Sequence, residues 1–236
     1  MKAMIFVLFG LFLISACASP PAELTQAAVP TVTRTVPVDA EVFEIDVITA
    51  GYDLDAGELV WDFSGPQEMV GVPNDIPFRW LGDGSLYYDF ILGFDVEWGL
   101  NPDVDNIRSN GCGVVFRDQE GKTGELLALV VQEDELSYSW NIEHWTPDGY
   151  LGSLVGDAYF LDNGVIDYDK LINPDKNHLV LVADGNTATV FANGGLLDTA
   201  KLPAHIPEGG MLMFPRADTG STTCTFSNIW IWEINN

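Results

Sequence analysis

Residues 136–145 read LSYSWNIEHW and gather aromatic, amide, carboxylate and imidazole side chains in one short run. If the run is a strand, alternate side chains share a face. Tyr138, Trp140, Ile142 and His144 then lie on one side, and Ser139, Asn141 and Glu143 on the other. A flat ring can stack on the apolar face of a sugar while carboxylates and amides hydrogen-bond its hydroxyls. Tyr138, Trp140 and Glu143 are therefore candidate ligand contacts. Trp145, followed by the turn Thr146-Pro147-Asp148-Gly149, is expected at an exposed loop edge and joins them. The alternative is that Trp140 belongs to the core.

Other chemistry is thinner. Asn101-Pro-Asp-Val-Asp-Asn106 concentrates oxygen donors on one turn, and Ca²⁺ takes six to eight oxygens. Asp103, Asp105 and Asn106 are the candidate ligands for such an ion; the alternative is a hydrophilic turn. The spacing is not that of an EF-hand. The three histidines, His144, His178 and His205, are scattered, so no histidine-based metal site or triad is expected. There is no G-x-S-x-G, no glycine-rich phosphate loop and no Cys-x-x-Cys.

The whole chain limits what such groups can meet. Its 236 residues are 47% apolar, enough for a sizeable core. Ten Lys and Arg stand against 35 Asp and Glu, a formal charge of −25. That surface repels phosphate backbones, which excludes nucleic acid as a partner. It is either a solvated acidic shell or, in places, a cation-binding surface.

Residues 1–16 must be set aside before the fold is read. Lys2 is a short positive region, and Met4–Ser15 is an apolar run of 12 residues. A bilayer-spanning helix needs roughly 20, so this is read as a signal peptide. Leu13-Ile14-Ser15-Ala16-Cys17 resembles a bacterial lipobox, which implies lipidation of Cys17. Several acyl chains on one residue hold a protein stably at a membrane. The alternative is an ordinary secretory signal. Residues 17–39, rich in Pro, Thr, Ala and Val, read as a semi-rigid spacer; an ordered first strand at 29–36 is the other reading. The folded domain is then 40–236, outside the cytoplasm.

From about Glu41 onward the chain reads as short β-type runs between turn residues. Runs are expected at 86–98, 113–117, 125–131, 136–143, 178–183, 187–191, 196–200, 209–215 and 223–234. Asp184-Gly185-Asn186 marks a hairpin, because these residues tolerate the positive φ of tight turns. No stretch carries a helical period; residues 162–173 have room for a short helical turn at most. Many short strands with no fixed repeat predict one all-β sandwich or barrel. Trp230 and Trp232, two apart in the last run, are expected in the core. Cys112 and Cys224 each open a strand and lie where disulfides persist. They are expected to pair, closing a loop of over 100 residues worth roughly 4–5 kcal/mol. Gly111 and Gly113 are read as room for that bridge. Two buried free thiols are the alternative.

Five segments carry a family resemblance: Phe94–Trp98, Gly113–Arg117, His178–Gly185, Thr189–Gly194 and CTFSNIWIWEI at 224–234. Their order over Phe90–Ile234 resembles the concanavalin A-like, or laminin G-like, jelly-roll sandwich. More narrowly, it resembles the domain of the 3-keto-disaccharide hydrolase family. The resemblance implies two antiparallel sheets and places Arg117 on a strand near Trp140, as a further ligand-binding candidate; the alternative is a local ion pair. Retaining β-glucanases of this fold carry Glu-x-Asp-x-x-Glu on one strand face. Here the nearest run, Glu44-Ile-Asp-Val-Ile-Thr49, ends on threonine, so that motif is absent. The expectation is a lipid-anchored recognition domain on the outer face of a bacterial membrane, binding an extracellular carbohydrate without catalysis. A glycoside hydrolase and a protein-binding adhesion module are the alternatives.

Overall fold

The computed structural model describes residues 40–100, 110–119, 124–133, 137–160, 176–206 and 208–235. The signal segment, Cys17, the spacer, Asp103, Asp105, Asn106 and the turn expected at 162–173 lie outside them.

The described chain begins with one helix, α1 (Ala40–Thr49). It continues through β1 (Gly57–Phe63), β2 (Gln67–Gly71), β3 (Arg79–Trp80), β4 (Phe90–Leu100), β5 (Asn110–Asp118) and β6 (Leu126–Glu133). Then come β7 (Ser137–Thr146), β8 (Gly149–Phe160), β9 (Lys176–Asp184), β10 (Thr187–Ala192), β11 (Gly195–Lys201), β12 (Gly210–Arg216) and β13 (Thr222–Ile234). One sheet runs β1-β13-β4-β9-β10-β11, with β2 beside the other half of β13. The second runs β3-β12-β5-β6-β7-β8. The fold is all-β, a sandwich of two antiparallel sheets, as expected.

Alternation builds the core. Phe90, Leu92, Phe94 and Val96 of β4 point between the sheets and meet Val114 and Phe116 of β5, Leu127 and Leu129 of β6, and Ile142 of β7. The Cys112–Cys224 disulfide runs through this layer, both residues fully buried, and joins β5 of one sheet to β13 of the other. The glycines flanking Cys112 serve a different purpose from the one expected. A Cβ on Gly111 would lie 2.2 Å from the Val131 carbonyl oxygen, and one on Gly113 would strike the Phe214 ring at 2.6 Å. They make room for β6 and for Phe214.

The outer face of the seven-stranded sheet carries a second cluster. Ile91, Val180, Val182, Trp230 and Trp232 lie there under Phe43 and Val47 of α1. Trp230 lies on Gly93, where an added Cβ would meet its indole at 2.1 Å. Phe43 presents its edge to Trp230, with centroids 5.0 Å apart. Both tryptophans are core residues, as expected.

Residues 41–49, expected to be extended, are helical instead. Phe43, Asp46 and Val47 face the sheet, while Val42, Ile45 and Ile48 are exposed. Apolar residues surround the helix, so its sequence shows no stripe. The same finding removes Glu44–Thr49 as any kind of strand-borne acid motif.

Helix α1 is clipped to the sheet by His178. Its Nδ1–H donates to Asp95 Oδ1 at 2.7 Å and its Nε2–H to Asp46 Oδ2 at 2.8 Å. Asn228, at φ 49° in the bulge of β13, donates to Asp95 Oδ2. Burial opposes the charge on His178, but the hydrogen bonds to Asp46 and Asp95 prevail and push its pKa up to about 9. A raised folded-state pKa gives stability that is complete below the unfolded value of 6.5 and disappears as pH climbs through 9. The ring is only 22% exposed, so the loss will be on the order of 2–3 kcal/mol. Thermal unfolding from pH 6 to 10 checks this, and His178→Gln will flatten the alkaline slope. An unchanged slope in that variant would refute the assignment.

Candidate functional site

Against β6, strand β7 keeps strict alternation: Glu143 faces Ala128, Ile142 faces Leu129 and Asn141 faces Val130. Tyr138, Trp140, Ile142 and His144 therefore share one face, as expected, and that face is the inner one. Trp140 is 2% exposed in the core. Tyr138 packs beside it and donates to Glu133. Neither offers an open stacking platform, which corrects the expectation for both.

Arg117 is corrected in the same way. It is 0% exposed, at the end of β5, with φ 52°. Its Nη2 donates to the carbonyls of Tyr88 at 2.8 Å and Gly185 at 2.7 Å. The guanidinium lies 4.5 Å from the Tyr88 ring centroid and 4.0 Å from Asp89. It ties the six-stranded sheet to the β9–β10 turn.

Glu143 and Trp145 lie on the outer face of the six-stranded sheet, and the structure brings them together. Trp145 Nε1–H donates to Glu143 Oε2 at 2.8 Å. Arg216, at the end of β12, donates from Nη1 to Glu143 Oε1 at 2.9 Å. Its Nε lies 3.6 Å from Asp218. Strand β12 is three places from β7 in the sheet, about 14 Å of strand spacing. Both side chains therefore lie down along the face rather than standing out from it. The floor between them is the apolar cluster Val115, Ala128, Val130, Leu212 and Phe214.

The rim is aromatic and polar. Tyr150 of β8 is 50% exposed, packs on Trp145 at 5.2 Å between centroids, and shares a hydrogen bond with Ser153 at 2.8 Å. On the same face, the buried side-chain oxygens of Gln132 and Asn141 have no hydrogen-bond donor among the described residues. A buried acceptor without a donor costs roughly 1–3 kcal/mol. Both oxygens of Glu143 accept hydrogen bonds, which fixes the carboxylate in place.

Sequence reading missed Arg216, Tyr150 and Gln132. Leu212, Phe214 and Arg216 alternate onto one face of β12, and arginine at the end of such a run was the available signal. It also missed the convergence of two histidines. His144 and His205 both reach Glu125, in a group with donor atoms within 4.8 Å of one another. His178 sits between two aspartates. The fold thus brings two of the three histidines, far apart in sequence, to one carboxylate, while His178 stands apart from them.

No known family's sequence profile matches the chain, and no curated protein matches it. Solved structures do. The carbohydrate binding module CBM66 from Bacillus subtilis is 13% identical, covering 72% of this chain and 96% of its own, at a TM-score of 0.49. A Bacillus subtilis protein of unknown function with a galectin-like fold is 11% identical, over 75% of this chain and 90% of that one, also at 0.49. Sheep galectin-11, solved with glycerol, is 14% identical over 65% of this chain and 98% of its own, at 0.37.

Proposed function

We propose that this is a recognition domain that binds carbohydrate, without catalysis, on the outer face of its six-stranded sheet. The observation that carries the reading is the Arg216–Glu143–Trp145 chain of hydrogen bonds beside the exposed ring of Tyr150. A sugar offers vicinal hydroxyls that both donate and accept. Glu143 supplies an acceptor and Arg216 retains N–H donors. The Trp145–Tyr150 pair supplies apolar ring surface for the C–H face of the sugar. The lipobox-like run ending at Cys17 supports a lipid anchor, with residues 17–39 as the tether that presents the domain outside the cell.

A glycan array probed with the purified full chain tests the reading. Saturable binding to at least one glycan is expected. Trp145→Ala and Arg216→Met will each weaken it about tenfold, the effect of losing roughly 1.4 kcal/mol. A folded chain that binds no glycan, or one whose binding is indifferent to both substitutions, would overturn the assignment.

A further inference from the structure

Glu125, His144 and His205 come from three distant parts of the chain. Glu125 immediately precedes β6, His144 lies in β7 opposite Leu127, and His205 lies in the turn before β12. The sandwich brings all three to one point. His144 Nε2 and His205 Nε2 both lie 2.9 Å from the same oxygen, Glu125 Oε2. The ring centroids are 6.3 Å apart.

We propose that these three side chains form a binding site for a divalent first-row transition metal ion, with Zn²⁺ the best match. Zn²⁺ bonds imidazole nitrogen at roughly 2.0–2.1 Å and carboxylate oxygen at about 2.0–2.2 Å. Tetrahedral bonds of that length separate neighbouring donors by about 3.3 Å. The two 2.9 Å contacts would open by a few tenths of an ångström to admit the ion, and the two histidine nitrogens, within 4.8 Å of each other, would settle at the same spacing. Two histidines and one carboxylate leave a fourth coordination position to fill, and the His205 side chain is 63% exposed. Two nitrogen donors disfavour Ca²⁺ and Mg²⁺, which take oxygen, and favour zinc, copper or nickel.

The donors are held in place by their surroundings. The Gln119 N–H donates to the Glu125 carbonyl at 2.9 Å. The Gln119 side chain donates to the Glu208 carbonyl at 2.7 Å, which fixes the chain just after His205. Ile206, next to His205, is buried in the core, and the His144 side chain is 11% exposed. A site built this way loses little entropy when the ion arrives. The formal charge of −25 raises the local concentration of any cation.

The test uses the full chain stripped with EDTA and titrated with ZnCl₂ by calorimetry, and with CoCl₂ by visible absorption. One Zn²⁺ per chain is expected, together with a rise in Tm and visible bands from bound Co²⁺. His205→Ala and Glu125→Gln will each weaken Zn²⁺ binding by at least about a hundredfold, since even the loss of an outer-shell partner costs 10–100-fold. Excess Ca²⁺ will not displace the zinc. Circular dichroism confirms that each variant is folded; His205 is exposed enough for its loss to be tolerated. Absence of saturable Zn²⁺ binding by the full chain would overturn the proposal. So would affinity unchanged in both folded variants. Neither result bears on the glycan-binding face, whose test uses other residues.

Discussion

Replacing both Cys112 and Cys224 by alanine, or reducing the bond in denaturation experiments, will lower the stability of the domain by about 5 kcal/mol. The bond closes a loop with a sequence separation of 112 residues. On the chain-entropy model a loop of that length is worth roughly 4.7 kcal/mol. The bond also crosses the core from β5 to β13, so it joins the two sheets rather than two strands of one. For a domain of this size, 1 kcal/mol moves Tm by about 2–4 °C, so a fall of roughly 10–20 °C is expected. Thermal unfolding with and without reductant checks it. A fall of less than about 3 °C would mean that the native packing holds the sheets together without the bond.

The second large effect lies at Arg117. Arg117→Ala will cost about 3–5 kcal/mol, the range for removing one member of a buried charged network. The substitution strips donors from the carbonyls of Tyr88 and Gly185 and empties a fully enclosed volume. Burial lowers the Arg117 pKa, opposed by its nearby partners Tyr88, Asp89 and Asp184. Lysine keeps the charge but not the planar fork, so Arg117→Lys is expected to fall between alanine and the native chain. Urea unfolding ranks the three. Glycan binding by the folded Arg117→Lys protein will match the native chain, because Arg117 lies away from the Glu143 face. Selective loss of binding at full stability would instead return Arg117 to the ligand site.

Much of the fold was legible because it depends on local rules. The β9–β10 hairpin follows from Asp184-Gly185-Asn186, where Gly185 takes φ 54°. The expected runs from 113 to 234 fall in β5 to β7 and β9 to β13. Strand β8 escaped notice because Gly149, Gly152 and Gly156 interrupt its pattern and its pairing to β7 bulges twice. Helix α1 escaped because its apolar residues face both the sheet and solvent.

The candidate site was half legible. The chemistry of Glu143 and Trp145 was readable from residue type, and so was which residues share each face of β7. Which face meets water was not, because an aromatic-rich strand face signals a core as readily as a platform. Arg117 was misread for a related reason. A charged residue in a strand suggests exposure until tertiary contacts supply it with carbonyls. Arg216, Glu125 and His205 reach their partners across 73, 19 and 80 residues of chain, distances over which no local pattern reports.

Strand β13 occupies the interior of its sheet, with β4 along one edge and β1 and β2 end to end along the other. Gly57 pairs with Ile234, and Gly71 with Thr222. During synthesis, residues 57–71 therefore emerge long before the strand that completes them. Until β13 arrives, Val60, Val70 and their neighbours form unpaired strand edges, the kind of surface that aggregates. The larger sheet cannot be finished from the N-terminus forward. Its assembly is a late, non-local event, and the last strand to be made is the one on which both earlier segments wait.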